Sequence, residues 1–449
     1  MLTLEELRYG VDSGTIDTVA LALVDMQGRL QGKRLHAPYF LREVLPHGSE
    51  ACDYLLAVDV EMNTVAGYAM SGWDRGYGDL VMVPDLSTLR RLPWQPGTAL
   101  VLADLTTVDG AAVPPSPRQI LRSQTDALAG SGLVAYAGTE LEFCVFRDSY
   151  EDAWTRGYRD LTPANLYNVD YSLLGTARVE PLLRRLRIDM AGAGLRPESA
   201  KGECNLGQHE VAFHYDTALV TADNHSVYKQ GAKEIAAQLG MSLTFMAKPN
   251  QREGNSCHIH FSLRDKAGAP VMAGSGPGGL SPAGEHVVAG LLAGMADLTL
   301  LFAPNINSYK RYRPGTFAPT AIRWGQDNRT CALRLVGKGT SLRIENRVPG
   351  GDVNPYLALA GMMAAARYGL EHELDLEDPV AGNAYGDTTA PRIPATLGEA
   401  LARWEASDLA RSAFGADVVA HYANNARVEL AAFDSAVTDW ELFRGFERL

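Results

Sequence analysis

The sequence predicts an α+β protein of two unequal parts, and three features carry that expectation. Its N-terminal part is rich in strand patterns joined by Pro- and Gly-rich turns. The stretch Asp109–Arg118, with prolines at 114, 115 and 117, interrupts that pattern. Beyond it, strands with one polar face alternate with long helical stretches. A chain of 449 residues, 46% of them hydrophobic, suffices for two or three domains, or one large domain with an appendage. A boundary near residue 110 divides it into 1–110 and 111–449.

The chain opens on Met-Leu-Thr-Leu-Glu-Glu-Leu-Arg, a charged helix start rather than a signal peptide. Ile16–Leu35 reads as a strand, a turn at Gly28 and a return strand. Strands follow around Leu80–Pro84 and Ala99–Leu105. A helix is expected over Pro117–Ala129 and a buried strand over Leu133–Phe146. Further helices are expected over Glu180–Ala193, Ala222–Leu239, His286–Ala303 and Pro355–Leu370, and from Leu397 on the chain reads mostly helical. There is no internal repeat or low-complexity tract. Gly274–Gly279 lacks the Lys-Ser/Thr of a P-loop and reads as a surface turn. No apolar run approaches the length of a membrane span. A net charge of -12 argues against nucleic-acid binding. The five cysteines, at 52, 144, 204, 257 and 331, include no C-x-x-C and suit a reduced, cytoplasmic setting.

The chemistry concentrates in five segments. In Gly138-Thr-Glu140-Leu-Glu142-Phe143 two carboxylates share one face of an apolar strand. They repel unless a cation lies between them, or unless that face is the solvent side of an edge strand. Gly202–Glu210 adds Glu203 and Glu210. Glu253–Leu263 places His258 and His260 at i, i+2. Asn305–Arg311 and Asp327–Arg334 are basic, and Arg343, Glu345 and Arg347 alternate along a further strand. Five carboxylates, a histidine and a row of arginines suit metal ions plus a polyanion. Mostly oxygen ligands with one imidazole favour Mg²⁺ or Mn²⁺ over zinc.

Taken in order, these segments resemble the glutamine synthetase family, its dodecameric bacterial class in particular. Val24–Gly28, Met82–Asp85, Asn307–Arg311, Asn328-Arg329 and Asn354–Leu357 extend the likeness nearly end to end. The resemblance implies an N-terminal β-grasp domain and a catalytic domain whose curved antiparallel sheet lines a funnel-shaped site. It implies that Glu142, Glu203 and Glu210 hold one metal, and that Glu140, His258 and Glu345 hold a second, which bridges ATP phosphates. Gly254, Arg311 and Arg347 would bind glutamate and the transferring phosphoryl group. Arg329, Arg334 and Arg343 would face ATP phosphates, with His260 and Ser262 near the nucleotide. It also implies ring assembly with active sites shared between subunits. The physics agrees: a carboxylate must become an acyl phosphate before an amine displaces it, and cations neutralise the charge brought together in that step.

Two departures from ammonia-using members stand out. They carry Pro-Gly-aromatic-Glu-Ala-Pro where this chain has Arg313-Pro-Gly-Thr-Phe317-Ala-Pro319, so Phe317 replaces the Glu. They also carry an Asp-Gly-Ser-Ser segment that Val60–Trp73 lacks. Ammonium needs an accepting cage and a base; an aromatic wall suits a carbon-bearing amine. This pattern is similar to the γ-glutamyl-amine branch, with ethanolamine or another small alkylamine favoured over polyamines. Asn255-Ser-Cys257 also departs from the Gly-Ser-Gly-Met of ammonia users. Ordinary glutamine synthesis, a catalytically silent homologue and a guanidino kinase are the rival readings. Asp59, Glu61 and Glu142 are candidates for the amine base, each more readily a structural or metal-bound residue. Tyr385 reads as a plain loop tyrosine.

Overall fold

The computed structural model describes all 449 residues. An N-terminal sheet is formed by β1 (Thr18–Val24), β2 (Leu30–His36), β3 (Ser49–Cys52), β4 (Asp79–Arg91) and β5 (Thr98–Thr107) in the order β2-β1-β5-β4-β3. Only β1 and β5 run parallel. The β1–β2 hairpin turns at Gly28, where φ is +78° and a Cβ would lie 3.1 Å from the Cα of Asn354. Glycine there meets the turn geometry and the close approach of the catalytic part together.

The central strands of this sheet are buried on both faces. Val19, Leu21 and Leu23 of β1 join a small N-terminal core with Val101, Ala103 and Leu105 of β5. The alternate residues, Ala22, Val24, Leu100 and Leu102, belong to the large core of the catalytic part. Period-2 alternation with apolar residues on both faces explains why these segments read as unbroken hydrophobic runs. An ion cluster reinforces the junction. Arg118, 1% exposed, donates to both oxygens of Asp223 at 3.0 Å, to Asp104 at 2.5 Å and to Asp85 at 2.7 Å.

The second sheet comprises β6 (Leu133–Phe146), β7 (Pro197–Gly202), β8 (Gln208–Phe213), β9 (Asp216–Thr217), β10 (Ser242–Thr244), β11 (Cys257–Asp265), β12 (Trp324–Gln326), β13 (Leu333–Val336) and β14 (Arg343–Asn346). Its path is β12-β13-β14-β11-β6-β8-β7, with β9 and β10 also pairing β6. It is antiparallel except for the β12–β13 edge pair, which is parallel. β6 lies between β11 and β8, so its polar face is not the solvent side of an edge strand.

The helices Pro117–Gly130, Ala218–Gln238 and Pro355–Glu371 pack in the large core. The expected helix over His286–Ala303 is instead two. Pro282–Met295 ends, and Thr299–Phe302 restarts after Leu298 leaves the helical region. Both pieces bury apolar residues in the same core, so hydrophobic periodicity runs across the break. From Leu397 the chain is helical as expected, ending in Asp439–Gly445. No helix is long and apolar enough to cross a membrane.

Candidate active site

Strand register assembles the site. Glu140 and Glu142 share a face of β6. Across to β8, Glu142 stands opposite Glu210; across to β11, Glu140 stands opposite His258. One strand further out on each side, Lys201 faces Glu210 and Glu345 faces His260. Arg334 in turn faces Glu345. Directly opposed residues have neighbouring Cβ atoms, so cross-strand pairing alone brings together charges from six strands.

Two carboxylate groups form. Glu142, Glu203 and Glu210 offer oxygens within 4.8 Å of one another, as do Glu140, Glu345 and a nitrogen of His260. His258 Nδ1 lies 3.6 Å from Glu140 and 3.3 Å from Glu345, while His260 Nε2 lies 2.8 Å from Glu140. Both histidines therefore border the second group, and His260 is not confined to the nucleotide side. His260 Nδ1 accepts from Arg343 Nε at 3.1 Å. Burial and Arg347 hold His258 below the usual imidazole range, leaving it neutral at pH 7. Burial and the Glu142 charge push Glu203 up to about 7, and burial with Glu140 nearby raises Glu210 well above the carboxylate range.

The arginines are held in distinct ways. Arg311 and Arg347 are each 3% exposed. Arg311 donates to the Val348 carbonyl at 2.9 Å, and Arg347 donates to Glu345 at 2.6 Å and to the Phe317 carbonyl at 3.4 Å. Arg334 is ion-paired with Glu345 at 3.0 Å and with Asp327. Arg343 also donates to the Ser341 carbonyl, and Arg329 lies exposed at the cavity edge. Gly254 has no room for a side chain: a Cβ would lie 2.4 Å from the Ala247 carbonyl and 2.6 Å from Arg311 Cγ.

Two cavities meet at Glu140. One, of about 260 Å³, is lined by the Glu142 group, His258, Gly254, Arg311, Arg329, Arg347 and the flap residues Thr316, Phe317 and Ala318. The other, of about 570 Å³, holds His260, Ser262 and Arg343 beside Tyr136, Tyr215 and Arg264. The Tyr136 and Tyr215 rings are 6.0 Å apart, and the Arg264 guanidinium lies 5.0 and 5.7 Å from their centroids. All fifteen expected site residues thus line or border these cavities. Phe317 is 56% exposed with φ at +58°, a left-handed conformation rare for an aromatic.

The sequence reading missed four contributors. Lys201 ion-pairs with Glu203, lies 3.9 Å from Glu210 and sits 5.0 Å from the Tyr171 ring centroid. Its place two residues before Glu203 was the available signal. Gln208 donates to Glu142 at 3.0 Å and to the Gly254 carbonyl at 2.9 Å, and the Ser256 amide donates to Glu142 at 2.7 Å. Tyr385 makes a contact the sequence did not reveal: its hydroxyl donates to the Ala318 carbonyl at 3.1 Å, tying down the flap. Asp59 accepts from the amides of Glu61 and Asn63 in a local turn, and neither Asp59 nor Glu61 lines this chain's catalytic cavity.

Residues 114–444 match the family profile described as glutamine synthetase, catalytic domain. The chain is similar to the γ-glutamylethanolamide synthetase GlnA4 of Streptomyces coelicolor, 65% identical over 448 residues, covering 100% of this chain and 96% of that protein. It is 38% identical over 444 residues to a glutamate–isopropylamine ligase of a Pseudomonas species, covering 98% and 97%. The γ-glutamylputrescine synthetase PuuA of Escherichia coli K12 is 31% identical over 451 residues, covering 98% and 94%. Among solved structures, a GmaS–ADP complex matches with a TM-score of 0.87 at 28% identity over 98% of this chain and 99% of that one. With the catalytic region matched and identity running the length of the chain, this protein belongs to the glutamine synthetase family.

Proposed function

We propose that this chain is an ATP-dependent ligase that joins the γ-carboxylate of glutamate to a small organic amine, ethanolamine in preference. The observation that carries the amine assignment is the flap: Phe317 and Ala318 line the catalytic cavity where a carboxylate would be needed to cage ammonium. The names of the 65% and 38% identical relatives support a carbon-bearing amine.

The donor set fits divalent cations. Glu142, Glu203 and Glu210 offer oxygens within 4.8 Å of one another, and burial with the neighbouring carboxylates raises the pKa of Glu203 and Glu210, a cost that a cation relieves. Glu142, Glu203 and Glu210 would hold one ion; Glu140, His258 and Glu345 would hold a second, with His260 beside them. Mg²⁺ or Mn²⁺, when bound, supplies neutralisation and orientation for the phosphates. One γ-carboxylate oxygen attacks the terminal phosphorus of ATP, and ADP leaves. The amine nitrogen then attacks the acyl carbon and loses a proton, and inorganic phosphate departs with the C–O bonding pair. Arg311 and Arg347, buried and fork-shaped, suit the glutamate carboxylate and the phosphoryl group. Arg329, Arg334 and Arg343 face the phosphates, and Phe317 keeps water from the acyl phosphate.

We infer further that chains assemble as a ring oligomer, a dodecamer, in the cytoplasm, with residues 1–110 completing a neighbour's site. The exposed Trp440 and Phe443 of the last helix, with Phe446 just beyond it, support burial by another chain.

The test is phosphate release with glutamate, ATP and a panel of ammonia, methylamine, ethanolamine, isopropylamine and putrescine. Ethanolamine should be the best acceptor and ammonia a poor one. Each methylene buried on the apolar wall contributes roughly 0.8 kcal/mol, which ammonia forgoes. Phe317→Glu should weaken organic-amine use without creating ammonia use. Ammonia turnover equal to the best amine would replace this reading with ordinary glutamine synthesis.

A further inference from the structure

One further large cavity, of about 550 Å³, lies between the hairpin turn Gln27–Leu30 and the catalytic part, and no residue lines both it and either catalytic cavity. Its apolar wall includes Phe146, Leu161 and Phe245. Facing that wall are Ser226, Lys229, Gln230 and Lys233, spaced i, i+3, i+4, i+7 along the helix Ala218–Gln238 and so on one stripe.

The cations of this stripe lack anions. Lys229 donates only to the backbone carbonyls of Gly351, at 2.8 Å, and Val353, at 3.5 Å, and lies 5.6 Å from the Phe245 ring centroid. Lys233 makes no ion pair and stays solvent-accessible because it opens onto the cavity. The one acidic side chain of the lining, Asp352, is engaged through Oδ2 by Asn305 at 2.8 Å and Ser308 at 2.6 Å; its Oδ1 is buried without a hydrogen-bond partner and forms no ion pair with either lysine. Arg29, also in the lining, is already paired with Asp25 at 2.7 Å. Ser242, 4% exposed and in the same lining, has a hydroxyl with no hydrogen-bond partner. Burial and the Lys233 charge push Lys229 down to about 8, outweighing the opposing pull of Asp352 and Asp25, neither of which is ion-paired with it.

Unpaired ammonium groups and a buried hydroxyl beside an apolar wall are complementary to one class of ligand. We infer that this cavity binds a small amphipathic organic anion, a carboxylate or sulfonate on an apolar body. The anionic head meets Lys229, Lys233 and Ser242, and the body lies against Phe245 and Leu161. The anion contacts Lys229, Lys233 and Ser242 line neither of this chain's two catalytic cavities.

The experiment is a fluorescence titration of the full-length protein with 8-anilinonaphthalene-1-sulfonate, with Mg²⁺-ATP saturating the nucleotide cavity. Binding should saturate at one dye per chain. Phenylacetate should displace the dye, and benzyl alcohol, the uncharged counterpart, should not. Lys233→Met and Lys229→Met should each weaken binding by about tenfold or more. Lys233 is solvent-accessible, so that variant remains informative even if Lys229→Met fails to fold. Non-saturating binding, failure of phenylacetate to displace the dye, or an affinity unchanged in Lys233→Met would overturn the assignment. So would a structure of the assembled enzyme with a neighbouring chain filling the cavity.

Discussion

At the residue scale, the Glu142 group is the proposed site of the first metal ion. Three carboxylates and the Lys201 ammonium converge from β6, β7, β8 and the turn after β7. Glu142→Ala or Glu210→Ala should lower turnover by more than about a hundredfold, because a site that loses a ligand holds its ion poorly. Glu210→Ala should not lower the melting temperature of the metal-free protein, since it removes one of several repelling groups; Glu142→Ala should lower it only modestly, because lost repulsion offsets the loss of the acceptor for Gln208 and the Ser256 amide. A large drop without metal, or full activity at ordinary Mg²⁺, would contradict the assignment. Lys201→Gln removes the one cation inside the group. Affinity for Mn²⁺, measured by calorimetry, should then rise roughly tenfold or more, as expected for a unit charge a few ångströms away. An unchanged affinity would mean that Lys201 lies outside the field of the ion.

At the scale of elements, the flap Arg313–Pro319, which contributes Thr316, Phe317 and Ala318 to the catalytic cavity, is the segment proposed to wall the amine. Three contacts restrain it: Arg347 to the Phe317 carbonyl, Tyr385 to the Ala318 carbonyl, and Thr316 to the Arg311 carbonyl at 3.0 Å. Phe317 is held at a positive φ, so strain is stored there and any loosened contact favours an opened flap. Tyr385→Phe removes one hydrogen bond of about 1 kcal/mol. The expected outcome is a severalfold higher KM for the amine with little change in melting temperature. A change confined to kcat, or a large loss of stability, would show that Tyr385 does something other than hold the flap.

At the scale of the whole molecule, the C-terminal helix Ala416–Ser435 closes onto the N-terminal part through His421. Its Nε2 lies 3.1 Å from the Met26 sulfur, and its ring centroid lies 4.6 Å from that of Tyr68. Burial holds His421 down at about 4, against an unfolded value near 6.5. Between those values the unfolded chain binds a proton that the folded chain does not. Stability is therefore full above about pH 6.5 and is lost as pH falls toward 4, by up to about 3 kcal/mol from this group. Melting curves across that window should show the loss, and His421→Gln should flatten it; an unchanged pH slope would exonerate the histidine. For the assembly, light scattering should give the mass of twelve chains. A fully active monomer would contradict a site shared between subunits.

Much of this architecture is legible in the chain because period and composition are local properties. The i, i+2 spacing of Glu140 with Glu142, of His258 with His260, and of Arg343, Glu345 and Arg347 fixes which side chains share a face. That is enough to gather the ligand candidates, and the Phe317 substitution distinguishes the amine branch. Alternation says nothing, however, about which residue stands opposite which. The pairing of Glu140 with His258, across more than a hundred residues of chain, is a matter of register between strands. So are the approach of His260 to Glu140 and the entry of Lys201 among the carboxylates. The helix break at Leu298 and the tether from Tyr385 to the flap depend on contacts with distant segments that leave no periodic trace. Residue types and faces were determined by the sequence alone; partners, distances and the cavity beneath the Gln27–Leu30 turn were decided by tertiary packing, because only packing brings remote segments within a side chain's reach.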